Sequence, residues 1–548
     1  MRGPFRGLPP ARRKAAADLL RAAKQRVVHA STEPGCIFCS EQLHRLDTHF
    51  FWYLNELYFE PSAIERMQRS HGFCHRHTRH LLARGGPGTI GRIYLWMLPP
   101  FLDVLRSTES TALKGDAQGS PRGRGQAPAL HAALRSPRGS GQVPALHAAL
   151  RPTRLCQGCE TEKEAPGPLL MDLRGTLEDP EVREALRGGP TICLEHFLAL
   201  APSLDWGQLA DMLEVVLGPL GRATLERGNL RDRTELVRGR DVDARLRPPD
   251  PKAENDQTHI VGAAEDSVPD PTSWSPTLEG LHQLLAKPGC PICHVRHRGL
   301  RDYFAWLSRE IVTAPPHQWS DALWLCRTHT WDFLTLADPV AADKLVGAII
   351  DYWHARLSEL AADLRRKPPI HWWDRLTTIP GHVRRIATER GVGQMRIWNV
   401  WTHLGPAMGD AMAPPDRVLA GLRTRQLRRG ECPACHHLAT VASRTCELLA
   451  RSLADPTTLD RYQRSTGVCY RDLALALRFC RATEQAQSLA RLARVRLEVL
   501  EWELQEALRK DAWDVRYEPK GPEQSAWRRA VEHVSGSHLT DSALLGLG

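Results

Sequence analysis

No apolar run in this 548-residue chain approaches the roughly eighteen residues that a membrane-spanning helix needs. The N-terminus also lacks a secretory hydrophobic region followed by a small-residue cleavage site. Its opening, MRGPFRGLPPARRKAAADLLRAAKQRVVHA, is basic and nearly free of acids, superficially like an organelle transit peptide. An amphipathic first helix is the preferred reading, and the expected compartment is the cytoplasm, with no membrane partner. Strand-like alternation is scarce, which argues against a sheet protein. There is no Gly-rich nucleotide loop, no GxSxG and no HExxH, so none of the enzymes those motifs mark is indicated. Lysine is rare, with ten of 73 basic residues, the rest being arginine. Such a bias arises as easily from a GC-rich genome as from a phosphate-binding surface. The formal excess of ten positive charges permits a polyanionic partner without requiring one.

Cysteine is missing from everything except four stretches. Of fourteen in total, twelve fall in recurring units, and the other two, Cys446 and Cys480, lie inside the last unit. With none scattered elsewhere, metal ligation in a reducing compartment fits better than a disulfide framework. Each unit has a CxxC pair followed, after 32 to 34 residues, by a second pair. Cys36/Cys39 are followed by Cys74/His77, Cys156/Cys159 by Cys193/His196, and Cys290/Cys293 by Cys326/His329. Cys432/Cys435 are followed by Cys469, with Asp472 in the fourth position. Read by proximity, each unit supplies its own knot, three thiolates plus an imidazole, the donor set of a closed tetrahedral Zn2+ site. With all four positions filled by protein such a site is structural, because catalytic zinc keeps a vacancy. In the last unit Asp472 can ligate through oxygen, or Cys446 or Cys480 can replace it, or the site is degenerate and empty.

Iron–sulfur clusters in the same ligands, making an electron carrier, are the principal alternative, although clusters more often use compact Cys runs. Cys290-Pro-Ile-Cys293-His294 and Cys432-Pro-Ala-Cys435-His436 also match the c-type haem attachment pattern. The equivalent positions in the first two units are Ser40 and Glu160, which argues against haem and leaves these histidines as helix-surface positions.

Length predicts more than one core. Amphipathic periodicity predicts long helices over Gln208–Arg227, Asp338–Arg366 and Glu484–Lys510, and a short one near Ser525–Val534. The fold expected is all-α, four related helical modules in two pairs. In domain terms that is 1–106 (first helix and module one), 155–246 (module two), 277–367 (module three), 431–511 (module four) and a tail over 512–548. Residues 107–154 carry a near-identical sixteen-residue duplication from Ser120 and Ser136 and read as a solvated insertion. Residues 247–276 read as an acidic, Pro-rich linker. Modules one and three share a register in which Phe50 matches Phe304 and Trp52 matches Trp306, as for a helix packing its aromatic side on the metal knot.

The connector 368–430 holds ten Arg against four acids, interleaved with aromatics. Arg375, Arg384, Arg385, Arg390, Arg396 and Trp398 are its candidate nucleic-acid contacts, through phosphate pairing and base stacking. A helical connector with solvated arginines is the preferred reading there.

The segment Gly72-Phe73-Cys74-His75-Arg76-His77, placed after a CxxC pair and a helix, resembles a group of uncharacterised bacterial proteins with repeated CxxC…CxxH modules. The resemblance covers the ligand-bearing cores and implies no activity. The role expected is that of a non-catalytic zinc-binding scaffold with a protein partner; a small-molecule substrate is not specified by any residue.

Overall fold

A computed structural model describes residues 10–114, 150, 152–188, 192–204, 206–226, 228–241, 274–316, 318–366 and 432–536. Among them there is no strand, and the all-α expectation holds. In chain order the helices are α1 (Pro10–Thr32), α2 (Ile37–Trp52), α3 (Pro61–Arg69), α4 (His75–Leu82) and α5 (Pro87–Lys114). Next come α6 (Gln157–Glu164), α7 (Pro166–Thr176), α8 (Pro180–Gly188), α9 (Leu194–Leu200), α10 (Trp206–Leu225) and α11 (Leu230–Arg238). The remainder are α12 (Leu278–Leu285), α13 (Pro291–Thr313), α14 (Arg327–Leu336), α15 (Pro339–Arg366), α16 (Pro433–Ser452), α17 (Pro456–Arg464), α18 (Tyr470–Leu477), α19 (Thr483–Lys510) and α20 (Ala526–Ser535). The predicted long helices thus appear within about two residues as α10, α15 and α19, and the short C-terminal one as α20. The first helix is α1.

The chain divides into two compact units, each assembled from three separated stretches. One comprises 1–43, 164–242 and 307–433; the other comprises 44–163, 243–306 and 434–548. In the first unit α1 lies along α7 and α8. Arg26 grips Asp172 with two hydrogen bonds of 2.7 and 2.8 Å, and Lys24 reaches Asp179 and Glu181. Its second layer is α10 and α11 against α15, whose apolar stripe Leu345, Ile349, Trp353, Leu357 recurs every four residues. That spacing places all four side chains on one helix face, where they are buried. The second unit is built on α5 against α19, with α20 packed on both. Leu98, Phe101, Leu102 and Leu105 meet Leu489, Leu497, Leu500 and Leu504 in its core, and Tyr94 shares a 2.9 Å hydrogen bond with Ser535.

The linker around 247–276, the duplicated repeat at 120–149 and the basic connector 368–430, with Arg375, Arg384, Arg385, Arg390, Arg396 and Trp398, fall outside the described residues or almost wholly so.

Candidate metal centres

The eight ligand pairs share one local design. In each, the first residue stands immediately before a helix and the second lies three residues on, in the first turn. Cys36, Cys156, Cys290 and Cys432 precede α2, α6, α13 and α16; Cys74, Cys193, Cys326 and Cys469 precede α4, α9, α14 and α18. The last four have extended backbone, with φ near −70° and ψ near 160°. An extended cap followed by a helical turn turns both side chains toward the helix N-terminus. That end carries unpaired N–H groups and a positive partial charge, which favours thiolates.

These pairs come together in four groups. They are Cys36, Cys39, Cys193, His196 (first centre); Cys74, His77, Cys156, Cys159 (second); Cys326, His329, Cys432, Cys435 (third); and Cys290, Cys293, Cys469, Asp472 (fourth). All sixteen ligand positions named from the sequence are therefore assembled, but not in the pairing that sequence proximity suggests. Each CxxC joins the second pair of another module, modules one and two exchanging pairs, and three and four doing the same. The physical reason lies in the helices. Each centre needs two helix starts brought face to face. The helix running out of a CxxC carries the chain away from that point before the next pair is reached. Within each group the ligand atoms lie within 4.8 Å of one another, and the residues are buried or half-buried.

The distances can be set against a single ion. With Zn–S of about 2.3 Å and Zn–N of about 2.0–2.1 Å, a tetrahedron has S···S edges of about 3.8 Å and S···N edges of about 3.6 Å. In the first centre Cys39 and Cys193 Sγ are 3.9 Å apart, and His196 Nδ1 lies 3.4, 3.5 and 3.2 Å from the Sγ atoms of Cys36, Cys39 and Cys193. In the second, Cys74 and Cys159 Sγ are 3.8 Å apart, and His77 Nδ1 is 3.2, 3.2 and 3.4 Å from Cys74, Cys156 and Cys159. In the third, His329 Nδ1 is 3.4 Å from both Cys326 and Cys432. In the fourth, Cys293 and Cys469 Sγ are 3.9 Å apart, and Asp472 Oδ2 lies 3.5, 3.6 and 3.3 Å from Cys290, Cys293 and Cys469. These donor sets fit one tetrahedral ion each, and the four groups are able to hold metal.

The surroundings tune each centre differently. At the first, the Arg240 N–H points at Cys39 Sγ at 3.4 Å and Arg327 Nη2 stands 3.6 Å away, while Arg327 also hydrogen-bonds the Arg240 carbonyl. Contact with Cys193 and Cys36, and then the Arg327 charge, holds the Cys39 thiol well below its ordinary range against the effect of burial. Gly239, in the same segment, has φ +72° and ψ 174°, and a Cβ there would lie 2.7 Å from Cys39 Sγ and 3.0 Å from Cys193 Sγ. Only glycine accommodates both the backbone and the approach.

At the second centre burial pulls the His77 imidazole down, but Cys156, Cys74 and Glu162 together raise it to about 11. Its Nε2 is 3.4 Å from a Glu162 oxygen, and Arg76 grips the same carboxylate with both terminal nitrogens. A carboxylate behind a ligating imidazole fixes the ring's orientation and makes it a stronger donor. Gly158 leaves room for that ring, since a Cβ there would sit 2.5 Å from it.

The fourth centre has one imidazole fewer and one carboxylate more, and it carries its own compensation. Desolvation, and then the Cys469 charge, pushes the Asp472 carboxyl up to about 7, while Arg296 opposes the shift. Asp472 turns Oδ2 to the thiols and gives Oδ1 to Arg296 Nη1 at 2.6 Å. The sequence already offers Asp472 as an oxygen ligand, but nothing in it singles out Arg296, Glu162, Arg327 or Gly239. Cys446 is buried outside the group and Cys480 Sγ faces the Ala476 carbonyl, so neither replaces Asp472.

The two CxxCH matches place their thiols in these centres, while His294 Nε2 lies 2.6 Å from the Pro288 carbonyl and His436 is exposed. Phe50 is buried against Phe73 and His80, with His77 at 6.3 Å, as the aromatic register predicts, whereas Trp52 is 45% exposed and takes no part. Among the described residues no helix is long and apolar enough to cross a membrane. No protein-family model, curated protein or solved structure matches this chain.

Proposed function

We propose that each of the four centres holds one Zn2+ and that the protein is a non-catalytic helical scaffold which presents its outer helix faces to a protein partner. The observation that carries this reading is the edge length. Sulfur–sulfur separations of 3.8–3.9 Å and sulfur–nitrogen separations of 3.2–3.5 Å are those of ligands on a single ion. An iron–sulfur cluster divides its four protein ligands among two or four irons, and ligands on different irons stand farther apart than one tetrahedron's edge. Here all four lie within 4.8 Å of one another. Zinc bound to such donors would supply charge neutralisation and cross-linking, with about 10–16 kcal/mol of apparent binding free energy available to folding.

Eight helix starts are tied in four pairs, and the tied segments lie 79 to 182 residues apart in sequence. Four protein ligands per centre leave no position for a substrate or a water molecule, so the arrangement suits architecture over turnover. His77 and His196 enter through Nδ1, and at His77 the other nitrogen faces Glu162.

Elemental analysis and an absorption spectrum on protein purified without air test the reading. Four zinc per chain without visible colour is the expected result, and chelation should then abolish protease resistance and helicity together. Iron with acid-labile sulfide would replace the scaffold reading by electron transfer. Zinc that can be removed with no loss of structure would remove the architectural role.

A further inference from the structure

In the first unit, the end of α10, α11, α15 and residues Ile311, Ala314, Pro316 and Trp319 line an open cavity of about 450 Å³ that touches none of the four centres' ligands. That volume lies within the range of small-molecule sites. Its walls are chemically divided. Ile311, Pro316, Trp319 and Val340 supply an apolar side, and Arg233 and Lys344 bring two cations to the same space.

The two cations differ in burial and in partners. Arg233 is only 7% exposed, and Nη1 donates to Asp343 Oδ1 at 2.5 Å. Its Nε is buried with no hydrogen-bond partner. Gly347 preserves the space beside that guanidinium, because a Cβ there would stand 3.2 Å from Nη2. Lys344 donates to the Val312 carbonyl at 3.0 Å and has no carboxylate partner among the described residues. Asp343 is already committed to Arg233, and Asp351, the other acid on the lining, is exposed and screened by solvent.

We propose that this cavity binds a small organic carboxylate with an apolar body. The carboxylate lies between Lys344 Nζ and Arg233 Nη2, and the body packs on Trp319, Ile311 and Val340. Arg233 is suited to the task because Asp343 holds Nη1 from one side, leaving Nη2, beside Gly347, as the donor for an oxyanion. The cavity's occupancy is independent of which metal fills the four centres.

Phenylacetate serves as the probe, with benzyl alcohol as its uncharged counterpart, titrated into the full chain by calorimetry or ligand-observed NMR. Saturable binding of phenylacetate, at least tenfold tighter than benzyl alcohol, is expected. Lys344→Met, an exposed position, should weaken the acid about tenfold and leave the alcohol unchanged, and Ala348→Phe should abolish both by filling the space. Metal content and thermal midpoint, measured on the same samples, confirm that the variants are folded. Equal affinity for acid and alcohol, or acid binding that survives Ala348→Phe, would overturn the proposal, as would no saturable binding to the wild-type chain.

Discussion

Replacing Arg296 tests whether the fourth centre is a working site adapted to aspartate. Three thiolates and an imidazole around a divalent ion leave a net charge of about −1; three thiolates and a carboxylate leave about −2. Arg296 returns the difference by holding Asp472 Oδ1 at 2.6 Å. Unit charges about 4 Å apart interact by about 4 kcal/mol at an effective dielectric of 20. The guanidinium side chain is 35% exposed while Asp472 is 1% exposed, so solvent screening reduces this to about 2 kcal/mol. Arg296→Met should therefore lower metal affinity at the fourth centre about thirtyfold, inside the range found for residues that orient metal ligands.

The assay is stepwise metal release to a colorimetric chelator. In the variant one metal in four should leave at a chelator concentration about thirtyfold lower, the other three staying with the wild-type curve. Arg298→Met, on the same helix but 84% exposed and paired with Asp302, should change nothing. Asp472→His restores the net charge of the other centres, so adding Arg296→Met to it should cost much less than in the wild-type background. A release curve for Arg296→Met that overlays the wild type, or full additivity in the double variant, would refute the charge-compensation argument.

The same geometry fixes three further outcomes. In Cys193→Ser the first centre should open, and alkylation followed by mass spectrometry should label Cys36 and Cys39 while Cys74 stays protected; labelling of Cys156 and Cys159 instead would restore pairing within modules. Gly239→Ala should empty the first centre as completely, because the new Cβ would fall 2.7 Å from Cys39 Sγ, and a chain that still carries four metals would contradict that contact. His533 is held down to about 4 by desolvation and by Arg496 and Arg529, against an ordinary value of 6.5. The unfolded chain therefore takes up that proton first, and stability present above pH 6.5 is lost as the pH falls toward 4. The loss is at most about 3 kcal/mol, and His533→Gln should remove that part of the acid sensitivity in denaturant titrations, whereas an unchanged pH profile would show that His533 is not the group responsible.

The sequence shows the ligands far better than their partners. All-α architecture follows from three- and four-residue apolar spacing, and α10, α15 and α19 stand where that spacing puts them. The sixteen ligand positions follow from residue type and x2 spacing, because one helical turn presents two side chains to one ion whatever the global fold. Arg296 and Glu162 are not legible in this way. Their roles depend on which helix start faces which, and neither Cys293-His-Val-Arg296 nor Cys159-Glu-Thr-Glu162 differs from an ordinary polar first turn. The cavity beside Arg233 is hidden for the same reason, its lining coming from three separated stretches.

Proximity along the chain is a poor guide to the pairing because it carries little thermodynamic weight. Joining Cys39 to a partner 35 residues on, at Cys74, closes a shorter loop than joining it to Cys193, 154 residues on. The entropic difference grows only as the logarithm of loop length, at about 0.6 kcal/mol per doubling, and so amounts to about 1.3 kcal/mol here. Metal binding to a complete donor set is worth about ten times as much. Any packing preference of a few kcal/mol among the helices therefore decides which starts face each other, and the burial of Phe38 against His196 and of Phe50 against Phe73 is on that scale. On this accounting helix packing selects the partners, and an ion bound at a centre would then hold whichever pair of helix starts the packing has brought together.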